Sequence, residues 1–159
     1  MPANDGRFDF DFIIGEWVVN HQRLNERLVG CKDWSHFSGR SKTTKILSGL
    51  GNLEDNYLEL PQGGYSAIAI RSFDADKGHW SIWWLDGRSP SVLDKPVVGK
   101  FVGDVGEFYA EDSLNGRSIR IRFLWKRLGP NAARWEQAFT ESTKEDWETN
   151  WTMDFSRVS

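Results

Sequence analysis

The stretch Phe8-Asp9-Phe10-Asp11-Phe12-Ile13-Ile14-Gly15-Glu16-Trp17 decides how the rest of the chain is read. Alternating phenylalanines and an Ile-Ile step run into Gly15-Glu16-Trp17, and the segment from Trp17 to Arg27 then reads as a strand. Glycine permits a tight turn into that strand, and an indole at its start closes the floor of a small β-barrel. Residues 8–14 are expected to form a short helical plug, too short to hold as a helix alone. Far downstream, Met153-Asp154-Phe155-Ser156-Arg157 reads as a last strand. If the first and last strands pair, Arg157 lies over the Trp17 ring as a cation–π lid.

Working outward, almost every segment alternates with period two or is β-branched and aromatic. Strand two is expected over Asp33 to Ser38 and, past a bulge or bend at Gly39, over Lys42 to Leu47. Asn56 to Leu60, Tyr65 to Phe73 and His79 to Asp86 follow, the last two joined by a turn at Asp74–Gly78. Val97 to Val102, Glu107 to Glu111, Ile119 to Lys126, Arg134 to Thr140 and Glu148 to Arg157 complete the set. Asn115-Gly116 is a strong hairpin signal. The chain thus predicts one all-β domain over residues 1–159, an antiparallel up-and-down meander of about ten strands. Closure into a barrel removes the two sheet edges, and a barrel of roughly eight to ten strands has room for a small ligand. The irregular run from Gly87 to Pro96 is long enough to line or gate a site at its mouth.

Composition narrows the function classes. The 159 residues suffice for one real core, and nine Trp with ten Phe supply bulk that a 39% hydrophobic fraction otherwise lacks. The net charge of −3 is spread among interspersed acids and bases, so no nucleic-acid partner is expected. No apolar run approaches the ~20 residues of a membrane helix, and no membrane partner is expected. Cys31 is the lone cysteine, so no intrachain disulfide forms. With a start, Met1-Pro2-Ala3-Asn4-Asp5, that lacks the regions of a signal peptide, it points to the cytoplasm. Asn150-Trp151-Thr152 matches a glycosylation sequon by chance on that reading.

Candidate chemistry is sparse. Trp83, Phe123, Trp125, Trp135, Phe139, Trp147, Trp151 and Phe155 occupy inward-compatible positions on successive strands. They either fill the core or line an aromatic cavity. Gln137 shares a face with Trp135 and Phe139, where a buried amide needs partners. His21 lies on the Trp17 and Val19 face with Arg23, and His21 and His36 face each other around one hairpin if their strands pair. Two imidazoles there would bind a metal or shuttle a proton, or decorate a polar surface. Their spacing matches no zinc motif, so no metal and no cofactor is expected. Glu107 and Tyr109 offer an acid and a phenol if they face inward. Arg71 shares a face with Ala67 and Ala69 and would anchor an anion if inward, whereas Arg120 and Arg122 are expected in solvent, paired with acids such as Glu136. In the run His79 to Leu85, the Trp80, Ile82 and Trp84 face is taken as the outer one, needing cover by a loop or a second subunit.

Several segments together resemble an uncharacterised bacterial domain family with a calycin-like, lipocalin-type barrel. They are 10–17, His79-Trp80-Ser81-Ile82-Trp83-Trp84-Leu85-Asp86, 97–101 with Gly106-Glu107-Phe108-Tyr109, 134–139 and 147–155. The resemblance implies the barrel and no activity. A haem barrel of the nitrobindin type is the neighbouring idea, but it calls for a late histidine as iron ligand, and no histidine follows His79.

Three functions follow as expectations. The first is a small-molecule barrel for a hydrophobic or aromatic ligand held by Trp83, Trp135, Trp151, Phe123 and Tyr109, with Gln137 and His21 as polar contacts. The second is a cofactor-free acid–base enzyme of isomerase or decarboxylase type, using His21, Glu107 or Tyr109. The third is a homodimeric module built on the Trp80, Ile82 and Trp84 face.

Overall fold

The computed structural model describes residues 5–159; the first four residues of the start read as lacking a signal peptide lie outside the described residues. Ten strands form in chain order: β1 Gly15–Leu24, β2 Trp34–Ile46, β3 Gly51–Glu59, β4 Tyr65–Asp74 and β5 His79–Asp86, then β6 Val97–Val102, β7 Val105–Leu114, β8 Arg117–Gly129, β9 Ala132–Glu141 and β10 Glu148–Arg157. Each pairs antiparallel with its chain neighbours, and β1 pairs with β10 to close the barrel. The two strands that would be the edges of a flat ten-stranded sheet thereby pair with each other. No helix among the described residues is long and apolar enough to cross a membrane.

The closure seam places Trp17 opposite Arg157, with the guanidinium 4.2 Å from the indole centroid. Arg157 also donates to the carbonyls of Ile14, Phe12 and Pro130 at 2.7–2.9 Å. Gly15 is required there: its φ is +126°, and a Cβ would sit 2.5 Å from Arg157 Nη1. The helical plug expected over 8–14 reduces to a single 3-10 turn at Asp11–Ile13, in line with the cost of nucleating so short a helix. The segment still packs inward. Phe10 and Ile13 are fully buried, and the Phe10 ring meets Trp80, Phe101, Phe108 and Trp125 at 4.9–5.8 Å.

Three local expectations are corrected. Gly39 is not a bulge: β2 pairs with β1 in unbroken register from Trp34 to Thr43. Its lack of a side chain makes room instead, since a Cβ would lie 2.8 Å from both His21 Nε2 and the Tyr57 carbonyl oxygen. The β5 faces are reversed. The β4–β5 hairpin pairs Phe73 with Trp80, Arg71 with Ile82 and Ala69 with Trp84, and directly opposed residues share a face. Trp80, Ile82 and Trp84 therefore point inward with the buried β4 set, and Trp80 and Ile82 are core residues, so this face is not the outer surface of a dimer module. Trp83, opposite Ile70, stands on the outside. Finally, Glu136 pairs with Lys126 and Arg134, so Arg120 takes Glu145 at 3.7 Å instead, and Arg120 and Arg122 both lie over the ring of Trp147.

Candidate functional site

The barrel interior is layered along its axis. Trp17, Phe155, Phe10, Trp80 and Trp125 fill one end. Two of these indoles are hydrogen-bonded: Trp17 Nε1 donates to the Ile13 carbonyl at 2.9 Å and Trp80 Nε1 to that of Gly6 at 3.0 Å. Above this floor sits a buried ionic layer. Arg71 Nη2 donates to Glu54 Oε1 and Arg71 Nη1 to Asn52 Oδ1, both at 2.8 Å, while Asn56 Nδ2 donates to Glu54 Oε2 at 3.0 Å. The guanidinium is sandwiched against Phe10 and Trp125 at 5.1 and 4.9 Å. Arg71 does face inward, but the carboxylate it holds is the protein's own, so it is committed to Glu54 rather than free to anchor a ligand.

The opposite end opens into a cavity of about 480 Å³. Its aromatic wall is Trp84 from β5, Phe123 from β8, Trp135 and Phe139 from β9, and Trp151 from β10. The rings stand nearly perpendicular: Phe123 to Trp135 at 5.0 Å, Trp135 to Trp151 at 5.3 Å and Trp84 to Trp151 at 5.8 Å. The mouth is open here because β5 and β6 pair only from Trp80 to Ile82. Beyond Ile82 the chain leaves as the 87–96 loop and folds back along β5, with a Leu85–Leu93 bridge and Asp94 N donating to the Trp84 carbonyl at 3.1 Å. Ser89, Val92, Asp94 and Lys95 of that loop form part of the rim.

Of the residues predicted for a site, Trp135, Trp151, Phe123 and Gln137 come together on this cavity. Gln137 is held by Asn150, its Nε2 donating to Oδ1 at 2.8 Å. His21 is inside the barrel but behind the wall. Its ring stacks on Phe37 at 4.6 Å, and its Nδ1 accepts from Trp151 Nε1 at 3.1 Å. That bond assigns the ring proton to Nε2. Burial, and then the nearby Arg23 charge, push the His21 pKa down to about 3, so the imidazole is neutral at pH 7 and braces Trp151.

Two predicted site residues fall outside. Trp83 is on the outer face, as its register dictates. Tyr109 alternates with the buried Phe108, is 43% exposed and tilts against Trp147 at 6.0 Å. Glu107 shares this outer face and is exposed, so His21, Glu107 and Tyr109 do not converge on one acid–base centre. His36 is also outside, since Phe37, not His36, stands opposite His21. Among the described residues no group of three or more His, Cys, Asp or Glu is arranged to hold a metal ion.

Sequence reasoning missed Trp84, Arg23 and Arg27 as cavity residues. The signal for Trp84 was the hairpin turn: with Phe73 opposite Trp80, an inward Ala69 carries Trp84 inward with it. Arg23 was legible from its shared face with Trp17, Val19 and His21. Arg27 lies beyond the end of β1, where alternation carries no information.

No family model matches this chain, and no curated protein is significantly similar to it.

Proposed function

We propose that this chain is a cytoplasmic, calycin-like binding barrel whose mouth takes a small, flat, hydrophobic or aromatic molecule. The observation that carries the reading is the aromatic cavity of about 480 Å³. Small-molecule sites typically measure ~300–1,000 Å³ and combine apolar walls with a few placed polar groups. The wall rings already brace one another edge to face, so a ligand meets surfaces that need little reordering. Gln137, with its Nε2 committed to Asn150, offers its carbonyl oxygen. The single free thiol, Cys31, fits a reducing compartment.

Native mass spectrometry of the purified protein is expected to show a retained small molecule or, after stripping, an adduct with an added naphthalene-class ligand. Intrinsic fluorescence is expected to quench as such a ligand stacks on Trp84, Trp135 and Trp151. Bare-chain masses together with a flat fluorescence response across a broad set of flat apolar molecules overturn the proposal.

A further inference from the structure

The arginines of this barrel mostly find carboxylates. Arg40 pairs with Glu59, Arg71 with Glu54, Arg88 with Asp86, Arg117 with Glu141 and Arg134 with Asp154. Four have none among the described residues: Arg157 bonds three carbonyls, Arg122 lies over the outer Trp147 ring, and Arg23 and Arg27 remain. Both line the cavity, and among the described residues neither is in an ion pair with a carboxylate. Each lies instead on aromatic rings: Arg23 at 5.0 Å from both Phe37 and Trp151, and Arg27 at 5.3 Å from Phe139. Arg23 Nη1 donates to the Tyr65 hydroxyl at 2.9 Å, which fixes the guanidinium and leaves its other N–H groups. The acids within electrostatic reach are engaged elsewhere, Asp86 by Arg88 and Glu148 by the Leu28 N–H. Burial and then the neighbouring Arg23 charge lower the Arg27 pKa, partly offset by Tyr65 and Glu148, so the fold holds two like charges near each other with no carboxylate in an ion pair with either among the described residues.

The rest of the rim is polarised against them. Asp94 and Asp112 line the cavity from the 87–96 loop and β7, and neither is in an ion pair among the described residues. Burial, Asp112 and Asp86 together raise the Asp94 pKa. In all, the lining carries four cations (Arg23, Arg27, Arg88 and Lys95) against three carboxylates, one positive charge in excess. A single negative charge balances it, and the acids on the loop and β7 would repel that charge toward Arg23 and Arg27.

We infer, on the basis of the binding reading above, that the ligand is a flat aromatic monocarboxylate, its rings against Trp84, Trp135 and Trp151 and its carboxylate held by Arg23 and Arg27. Guanidinium forks match a carboxylate with two parallel hydrogen bonds. The rings on which both guanidinium groups lie shield one face of each from solvent, which strengthens such a pair.

The test is calorimetric titration of the whole chain with three near-isosteric probes: 2-naphthoate, 2-naphthamide and 2-naphthylmethylamine. Naphthoate is expected to bind at least tenfold more tightly than the amide, with the amine weakest. Arg27→Gln is expected to erase the naphthoate advantage while leaving naphthamide affinity within twofold, and Arg27→Lys to keep part of it. The wild-type probe series stands even if a variant fails to fold. Equal affinity for naphthoate and naphthamide, or tightest binding of the amine, overturns the carboxylate inference and leaves the binding barrel standing. Equal loss of both ligands in a folded Arg27→Gln protein also overturns it. Binding of none of the three counts against the cavity reading itself and removes this inference with it.

Discussion

The two ends of this barrel use the same residue types to opposite effect. At the closed end, Trp17, Trp80, Trp125 and Phe155 pack around Phe10 and Ile13, and the indole N–H groups of Trp17 and Trp80 find carbonyls. At the open end, Trp84, Trp135 and Trp151 stand edge to face along a cavity, and Arg23 and Arg27 are in no ion pair among the described residues. What differs is not aromatic content but what the chain sends inside. The segment before β1 fills the floor, whereas among the described residues nothing comparable enters at the mouth, where β5 and β6 separate after three residue pairs. Aromatic stripes alone therefore do not mark a site; the proposed one rests on an aromatic stripe, a cavity and two arginines without carboxylate partners among the described residues.

The largest effect is expected at the floor. Trp17→Ala removes a fully buried indole, its bond to Ile13 and the surface on which Arg157 lies. The expected cost is about 3–5 kcal/mol of unfolding free energy, with affinity for a mouth ligand unchanged while the protein stays folded. Urea midpoints alongside naphthoate titration check both halves. If Trp17→Ala and wild type melt alike, the floor assignment fails. A slightly smaller effect is expected one layer up. Glu54→Gln leaves Arg71 charged and buried, at a cost of about 3 kcal/mol, whereas the double variant Glu54→Leu/Arg71→Met is expected to recover most of the loss. If the double variant is no more stable than Glu54→Gln, the pair is not what the layer depends on.

The closed end was legible in the sequence and the open end only in part. The Gly15-Glu16-Trp17 step, the β1–β10 closure and the Arg157 lid were readable because glycine, an indole and a terminal arginine are chemically specific. Their geometry followed once the strands paired. Trp135 and Gln137 were readable because β9 alternates from Ala132 to Gln137, and Phe123 and Trp151 because they stand directly opposite Gln137 on β8 and β10. The β5 run was not, because His79 to Leu85 is apolar on both faces and only the hairpin partner breaks the tie. Tyr109 failed for a similar reason: the alternation in β7 fixes two faces but not which one is inside. The unpaired state of Arg23 and Arg27 depends on where every acid in the barrel ends up, and no local pattern encodes that.

Between the two ends, His21 allows a pH test. Its folded pKa of about 3 lies below the ordinary value of 6.5. The unfolded chain therefore binds a proton between those values and the folded chain does not, so stability falls as pH drops below 6.5 toward 3. The slope is about 1.4 kcal/mol per pH unit, near 2 kcal/mol by pH 5. His21→Phe is expected to flatten the melting curve between pH 6.5 and 5 while losing the Trp151 bond at every pH. A wild-type melting temperature that is constant over that interval means the buried imidazole is not the titrating group.

The smallest effect carries the most information about function, and it sets one arginine at each end against the other. Arg157 makes three hydrogen bonds to carbonyls and lies over Trp17. Arg157→Gln is accordingly expected to cost about 2 kcal/mol. Arg27 is half-buried beside a like charge and lies on the Phe139 ring. Arg27→Gln gives up that contact and relieves both the desolvation and the repulsion from Arg23. These terms nearly cancel, so its unfolding free energy is expected within about 1 kcal/mol of wild type, on either side. A residue that the fold does not need, held charged against its own surroundings, is what a ligand anchor looks like before the ligand arrives. A loss as large as that of Arg157→Gln would instead make Arg27 a structural member of the mouth and dissolve the contrast between the two ends.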